Sequence, residues 1–430
     1  MLKKIYLPKQ NILFYTYAVL IDIAFFIYHL SGMFYAWILG AFMLGICLLM
    51  PTEKQIYISF FLLISEDMLK LQGSQFSVLS YYCFASSLLF LAKNIKKLDG
   101  TYFVLGGLHF LCMLLSALVN ATIANIVPFT RALLVGYMFF SAWKRKEYSF
   151  ELAFKCFAYG VGIAIILGLV FCHMNGTLFN GLFGGVIGDR NYFGASVSFC
   201  VSLCTLYVLC SNQARAQYKI GAVIALCVFS VILSGSRTSA IAIIFPTMMF
   251  VYSLIYGRHF KRLLGGLFAV TLIVFLSINW FPDSLQALRN RFLADDFVDG
   301  NGRFEIWLFY IKEWLNSGAG VFLGNGSSNI MYNNGMFRSV AHNTLIECIY
   351  SCGILGSLTI YLLIVHVYKS ICGSQKKRLL MFFPLLCLCF CYLGIDGLYG
   401  NKLTIMLILS FISIAEFSSG ISERKPISAN

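Results

Sequence analysis

Long runs of apolar residues, separated by short polar breaks, recur along the chain from Asn11 to Phe417. The runs are roughly 17 to 22 residues long, which is the length that a helix needs to cross a hydrocarbon layer of about 30 Å. A helix also satisfies its own backbone hydrogen bonds where water is absent. The pattern therefore predicts a bundle of membrane-spanning helices.

We predict an all-α, polytopic integral membrane protein with about 14 transmembrane helices in a single membrane domain, residues 1–430. The longest interruption, residues 281–341, is predicted to be one long extracytoplasmic loop that carries part of the functional site. The predicted crossings are residues 11–30, 33–50, 55–69, 76–92, 101–119, 123–142, 152–173, 192–210, 218–234, 238–256, 263–280, 343–366, 379–395 and 403–417.

Composition and charge agree with this pattern. Hydrophobic residues make up 59% of the chain and charged residues 12%, with a mean hydropathy of +0.80, which excludes a soluble globular domain. If the first crossing starts in the cytoplasm, 21 of the 32 lysines and arginines fall on the inner side, which predicts that both termini are cytoplasmic. The net charge of +14 then reflects topology and contact with anionic lipid, and not nucleic-acid binding.

The cysteines and acidic clusters do not predict a metal site. Cys387, Cys389 and Cys391 alternate within an apolar helix and would point to different faces. The acidic stretch 295–299 lacks the spacing of a calcium loop. We expect no metal and no cofactor.

Two short outer segments place an arginine where a helix starts. Gly188-Asp189-Arg190-Asn191 precedes the eighth crossing, and Arg237 follows the turn Ser234-Gly235-Ser236. Free backbone N–H groups at a helix start favour an anion, and a guanidinium adds a planar pair of donors suited to phosphate oxygens. The alternative for each arginine is an interfacial anchor that extends to the lipid headgroups.

The long loop and its flanks hold further polar and aromatic candidates. Residues 282–292 have a short amphipathic helical pattern, and the Gly- and Asn-rich stretch 318–335 predicts a loop rather than a packed element. Trp307 could stack on a sugar ring or belong to the interfacial aromatic belt. Asp396, near the outer end of the thirteenth predicted crossing, is a further candidate for the site.

Two ionisable residues, Asp22 and Arg131, fall within predicted crossings. Charges are unfavourable there, so we expect them to line a cavity or to pair within the bundle. Among the six histidines, His342 differs because it opens a helix at the end of the only long outer loop. We expect the other five to be structural or interfacial.

The order of these motifs resembles the O-antigen ligase and polymerase superfamily, from about Gly188 to Gly356. No single motif is specific to this superfamily, but the order of the motifs, their spacing and their location on the same side of the membrane make the resemblance specific. The motifs are Gly-Asp-Arg-Asn (188–191), Ser-Gly-Ser-Arg-Thr (234–238), Gly-Arg-x-x-x-Trp (302–307), Ala-His-Asn-Thr-Leu (341–345), Gly353 and Gly356.

The resemblance implies a multi-pass protein of the bacterial cytoplasmic (inner) membrane and a metal-independent glycosyltransferase. Its donor would be an undecaprenyl-diphosphate-linked oligosaccharide, used at the outer face, and the membrane lipid, a flippase and a chain-length regulator would be its partners. By motif position the catalytic residues are Arg237, Arg303 and His342. Many members have an acid nine positions after this histidine, where the chain has Ser351; Glu347 lies one turn earlier. The substrate-binding candidates are Arg190, Asn191, Arg338, Trp307, Asn343, Glu347 and Asp396.

The required chemistry agrees with this assignment. Arginines can stabilise a leaving diphosphate, and a neutral imidazole can remove a proton from an acceptor sugar hydroxyl. We predict polymerisation of O-antigen, capsular or exopolysaccharide repeat units. The alternative is a ligase that transfers finished glycan to a lipid A core, as in lipopolysaccharide, or to a protein. A flippase is disfavoured because transporters usually show paired repeats and midplane charges, and this chain has no visible repeat and few such charges.

Overall fold

The computed structural model describes residues 8–72, 77–120, 126–177, 183–210, 214–255, 286, 289–290, 303–326, 332–333, 338–339, 341–373, 379–395 and 400–422. The first helices are α1 (Pro8–Ser31), α2 (Phe34–Ile46), α3 (Thr52–Leu62), α4 (Val78–Asn94), α5 (Gly100–Asn120), α6 (Ile126–Lys144), α7 (Phe150–Met174), α8 (Arg190–Cys210), α9 (Ala214–Ser234), α10 (Arg237–Ala242) and α11 (Ile244–Ile255). The later elements are α12 (Arg303–Leu315), α13 (Gly320–Leu323), β1 (Tyr332–Asn333), β2 (Arg338–Ser339), α14 (Thr344–Cys372), α15 (Phe383–Tyr392) and α16 (Asn401–Ser422).

Within the described residues, nine helices are long and apolar enough to cross a membrane, and two shorter apolar helices accompany them. The prediction of a helical, polytopic membrane protein is confirmed. The crossing predicted at 263–280 lies outside the described residues, so the total of about 14 crossings stays a prediction. The two-residue strands β1 and β2 are an addition to the all-α prediction; they pair antiparallel, with Tyr332 opposite Ser339.

Two predicted crossings are interrupted. The segment predicted at 55–69 stops being α-helical at Leu62 and continues as a 3₁₀ turn, Ile64–Asp67, because the polar side chains there bind partners outside the helix. The segment predicted at 238–256 breaks between α10 and α11. Pro246 explains this break, since a proline clashes with the carbonyl four residues earlier, here that of Ala242.

Helix α8 is the centre of the bundle. Within its apolar 18-residue stretch, 83% of the residues are buried inside the protein, the largest share among the nine candidate spans. A glycine lets α10 approach α8 closely: a Cβ built at Gly194 of α8 would lie 2.2 Å from Ser239 Oγ of α10. This close packing fixes the first turns of α8 and α10 side by side.

Polar groups gather at both ends of the bundle. At one end, Asp99 lies 3.1 Å from His366 Nε2 and 3.5 Å from Lys144 Nζ. Burial works to raise the pKa of Asp99, but the Tyr102 N–H and these two side chains outweigh it and hold the pKa below its ordinary value. The other end holds the starts of α8, α10, α14 and α16, and we call it the site end.

The segment between α12 and α14 packs on a kink. Gly353 has a φ of +64° inside α14, and a Cβ there would lie 2.4 Å from the backbone of Phe322. The N–H groups of Asn325 and Gly326 donate to the carbonyls of Tyr350 and Ser351, at 2.8 and 3.2 Å. The prediction that 318–335 contains no packed element is therefore wrong, because α14 leaves carbonyls at its kink that this segment satisfies. The amphipathic segment predicted at 282–292 lies almost entirely outside the described residues.

Candidate active site

The serine-rich turn before α10 is rigid and buried. Gly235 adopts a φ of +57°, and the N–H of Ser236 donates to Ser234 Oγ at 3.2 Å. Ser236 caps α10, because its Oγ accepts from the N–H of Ser239 at 3.5 Å. All three serines are fully buried, and Arg237, the first residue of α10, is partly exposed. The turn therefore holds the Arg237 backbone in one position, and the residue stays partly exposed.

The start of α8 lies beside this turn. Asp189 Oδ1 accepts from the N–H of Asn191 at 2.7 Å, which caps α8, and Ser236 Oγ donates to Asn191 Oδ1 at 3.2 Å. The guanidinium of Arg190 interacts electrostatically with Asp189 and with Arg237. Two arginines from separate helix starts thus lie within reach of one another's charge.

The first residue of α12 reaches the same place. A Cβ built at Gly394, which follows α15, would lie 3.3 Å from Arg303 Nη1 and 3.2 Å from Thr238 Oγ1. Thr238 directly follows Arg237. The absence of a side chain at position 394 lets the Arg303 guanidinium approach the start of α10.

His342 is fixed on both sides. Trp307 Nε1 donates to the carbonyl of Ala341 at 2.9 Å, and Thr344 Oγ1 donates to the carbonyl of Ile395 at 2.7 Å. Asn343 caps α14, accepting from two backbone N–H groups at 3.0 and 3.1 Å. The His342 backbone itself has a φ of +47°, a left-handed conformation that non-glycine residues adopt at a cost of roughly 1–2 kcal/mol. Such strain persists only where surrounding contacts impose it, which is typical of functional positions.

The geometry converges on residues 394–395. This short segment contacts Arg303 and Thr238 through Gly394, and Thr344 through Ile395. Arg237 and His342 are each one or two positions away from those contacts. Partly exposed guanidinium groups beside the N-terminus of the long helix α8 are suited to bind an anion. In the described part of the chain, no three His, Cys, Asp or Glu side chains are grouped closely enough to hold a metal ion.

Comparison with known families gives a match in the part of the chain that carries these residues. Residues 222–362, about a third of the chain, match the family model described as O-antigen ligase. The matched segment contains Arg237, Arg303 and His342.

Over residues 222–362 the chain resembles the O-antigen ligase and polymerase superfamily.

Members of the matched family are glycosyltransferase-like enzymes, and the family implies a lipid-linked glycan as substrate. Together with the apolar helices, the match indicates a multi-pass inner-membrane protein. No match was found among curated proteins. The match indicates a function of the O-antigen ligase or polymerase type and does not distinguish the two.

The other predicted site residues divide into two groups. Asn343, Trp307 and Asn191 use side-chain polar atoms to hold the backbone or a neighbouring turn, as described above, and their contact with substrate stays a prediction. Glu347 lies partly buried in the first turn of α14. Arg338 lies in β2, where its backbone pairs with that of Asn333 in β1. The side chain of Arg338 and the whole of Asp396 lie outside the described residues.

Sequence reasoning missed the residues that bring the site together. Thr238 and Thr344 belong to the motifs at 234–238 and 341–345, but neither carries a charge that would single it out as a site residue. Gly394 was missed because its role is to leave space. Lys70 and Lys402 offered a signal: on the predicted topology they are among the few basic residues on the outer side, and the structure brings both to Asp67, at 2.6 and 2.7 Å.

Proposed function

We propose that this protein polymerises undecaprenyl-diphosphate-linked oligosaccharide repeat units of an O-antigen, a capsule or an exopolysaccharide. The reaction takes place at the outer face of the bacterial cytoplasmic membrane, with both termini of the chain in the cytoplasm. The observation that carries the proposal is the contact of residues 394–395 with Arg303, Thr238 and Thr344. It links three distant stretches of sequence, each of which brings one member of the proposed catalytic trio.

In the proposed reaction, Arg237 and Arg303 bind the diphosphate of the donor. The bond between the anomeric carbon and the diphosphate oxygen breaks, and the electron pair leaves with the diphosphate. Because this group becomes more negative as the bond breaks, guanidinium groups positioned beforehand stabilise the transition state more than the ground state. No metal is required in this scheme, since the arginines supply the positive charge.

His342 completes the reaction by accepting the proton of the attacking sugar hydroxyl while the new glycosidic bond forms. His342 is partly exposed, and it lies between Ala341, whose carbonyl accepts from Trp307 of α12, and the start of α14. Its strained backbone supports this role, because the contacts of Ala341 and Thr344 hold the residue where an unconstrained chain would relax.

The role of His342 is tested by His342→Asn. Asparagine tolerates the left-handed conformation, so the variant removes the imidazole and leaves the backbone geometry unchanged. Loss of a general base should lower the polymerisation rate about 100- to 10,000-fold at an unchanged protein level. His173→Ala is the matched control, since His173 is exposed at the end of α7. Polymer formation at the wild-type rate in His342→Asn would exclude the imidazole from the mechanism.

The arginines are tested by conservative substitutions. Arg237→Lys and Arg303→Lys keep one positive charge but lose the planar pair of donors, so we expect each to reduce turnover roughly 10- to 100-fold. Arg289→Lys is the control, because Arg289 is exposed in the long segment before α12. An equal effect in all three variants would show that replacing any arginine lowers turnover regardless of its position, and would contradict the diphosphate-binding role.

The second candidate is ligase activity, which the description of the matched family favours. A polymerase uses the same kind of molecule as donor and acceptor, whereas a ligase needs a lipid A core or a protein acceptor. The purified protein in lipid nanodiscs is therefore given lipid-linked repeat units alone. A ladder of products supports the polymerase, and products that form only after an acceptor is added support the ligase.

A further inference from the structure

A cavity of about 450 Å³ lies at the site end. Arg190, Arg237 and Arg303 are not among the residues that line it. Asp189 and Tyr192, on either side of Arg190 and Asn191, line it from the start of α8. Arg131, one of the charged residues predicted to line a cavity, does so from α6. The volume of this cavity falls within the range of about 300–1,000 Å³ that is usual for small-molecule sites.

The charges around this cavity balance. Asp67 lies between two lysines and accepts from Lys70 at 2.6 Å and from Lys402 at 2.7 Å. A site for phosphate carries an excess of positive charge, whereas here each cation on the lining is matched by a carboxylate. The three carboxylates are Glu66, Asp67 and Asp189, and the three cations are Lys70, Arg131 and Lys402. The cavity therefore favours a neutral ligand that is rich in hydrogen-bonding groups.

The polar lining is held in place by its own network. Glu66 Oε1 accepts from Ser77 Oγ at 3.1 Å and from Ser80 Oγ at 2.6 Å. Asn401, which is 2% exposed, donates from Nδ2 to Ser80 Oγ at 3.1 Å. Its Oδ1 is buried and has no hydrogen-bond partner within the part of the chain that the structure describes. A buried acceptor without a partner is unfavourable unless a ligand or water supplies a donor.

Aromatic surface completes the lining. Tyr192 and Tyr392 both face this cavity, and each offers an apolar ring together with a polar hydroxyl. A sugar ring has the matching character, since its faces carry C–H groups and its edge carries hydroxyls. Combined with the balanced charges and the unpartnered Asn401 oxygen, this lining fits a pyranose better than a lipid chain or a phosphate.

A second cavity extends the first. It has a volume of about 590 Å³ and shares Lys70 and Ile187 with the first cavity, and Tyr28 and His29 line it from α1. The two cavities adjoin at Lys70 and Ile187, and the first is lined by Asp189 and Tyr192, which flank Arg190 and Asn191 in the sequence. Adjoining cavities suit a chain of sugar units whose first member is attached to a diphosphate.

We propose that these two adjoining cavities bind the saccharide of the lipid-linked substrate, with the first sugar beside Tyr192 and Asn401. The inference rests on the proposed function, because it takes the neighbouring arginines to hold the diphosphate. It adds a separate site for sugar recognition, whose contribution to binding should be separable from that of the diphosphate.

Binding by the full-length protein in nanodiscs tests this separation. The probes are undecaprenyl diphosphate without sugar, the lipid-linked repeat unit extracted from host cells that lack this protein, and the free repeat-unit oligosaccharide released from it. The wild-type protein should bind the lipid-linked repeat unit about tenfold or more tightly than undecaprenyl diphosphate. Tyr192→Ala should remove most of this difference and leave the affinity for undecaprenyl diphosphate within about twofold of wild type.

Asn401→Leu serves as a second variant if Tyr192→Ala fails to fold, and it should have the same selective effect. Tyr218→Ala is the matched control, because Tyr218 on α9 is 81% exposed. Wild-type affinity for the lipid-linked repeat unit in both cavity variants would overturn the inference, as would an equal loss of affinity for undecaprenyl diphosphate.

The failure of the proposed function gives a different result. If the wild-type protein does not bind undecaprenyl diphosphate, or if Arg237→Lys binds it as tightly as wild type, the diphosphate-binding role fails. Binding of the free oligosaccharide then tests the saccharide site independently of the diphosphate. Binding that Tyr192→Ala weakens would support a saccharide site, and binding that Tyr192→Ala leaves unchanged would exclude it.

Discussion

Gly394→Ala is the smallest change that tests whether the site depends on the packing of Arg303. The added Cβ would lie 3.3 Å from Arg303 Nη1 and 3.2 Å from Thr238 Oγ1. Since unstrained contacts of this kind begin at about 3.5 Å, the methyl group should displace the guanidinium by roughly 0.2–0.3 Å. A misplacement of about 1 Å can reduce a rate about 100-fold, so we expect a loss of roughly 2.5- to 4-fold in kcat.

The assay is the rate of polymer formation from lipid-linked repeat units by the purified protein, with its Tm measured in parallel. Gly107→Ala is the matched control, because a Cβ built at Gly107 in α5 meets nothing within 4 Å. If the effect passes through Arg303, it should disappear when Gly394→Ala is combined with Arg303→Lys. Wild-type kcat in Gly394→Ala, or an equal loss in the control, would refute the reasoning.

Three further predictions concern stability, each measured by thermal unfolding in detergent. Gly353→Ala should destabilise the protein by roughly 2–4 kcal/mol, because φ is +64° and the new Cβ would lie 2.4 Å from the Phe322 backbone; unchanged stability would show that the kink can relax. Gly160→Ala places a Cβ 1.9 Å from the carbonyl oxygen of Phe61 and should cost about 3 kcal/mol, whereas Gly45→Ala meets nothing within 4 Å and should be neutral. Asp67→Asn should cost about 2 kcal/mol. Burial works to raise the pKa of Asp67, but its two lysine partners hold it well below its ordinary value, so this cost should stay constant from pH 8 to about 5 and decrease only as the pH falls below about 4. A cost that disappears near pH 6 would contradict this assignment.

The sequence predicted candidate site residues where a local pattern, such as the start of a helix, indicates their chemistry. Arg190 and Arg237 were predicted at helix starts because Gly, Ser and Asp precede them, and the structure places both at the first positions of α8 and α10. His342 was singled out by its position after the long loop. The membrane class followed from hydropathy, since apolar runs of this length have few other stable structures.

Other features depend on contacts that no local pattern encodes. The kink at Gly353 exists because the chain around Phe322 packs against α14, and one glycine in an apolar run does not indicate such a neighbour. Likewise, the 3₁₀ turn at residues 64–67 follows from pairing of Asp67 with Lys402, which is 335 positions away. Long-range pairs of this kind decide where a membrane helix ends, although hydropathy alone predicts that it continues.

The site and the adjoining cavities draw on different parts of the chain. The family match covers residues 222–362, which include Arg237, Arg303 and His342, whereas every residue that lines the two cavities lies before or after that segment. Transfer of any lipid-linked glycan requires stabilisation of the leaving diphosphate and removal of a proton from the acceptor. The arrangement of hydroxyls on the sugar, in contrast, differs from one polysaccharide to another. On the proposed function, a segment that performs the common chemistry can be shared widely, while the helix ends around Asp67 and Lys402 would adapt to one saccharide. Substitutions at the cavity should accordingly change which repeat unit is accepted, and substitutions of the trio should reduce the rate with every repeat unit alike.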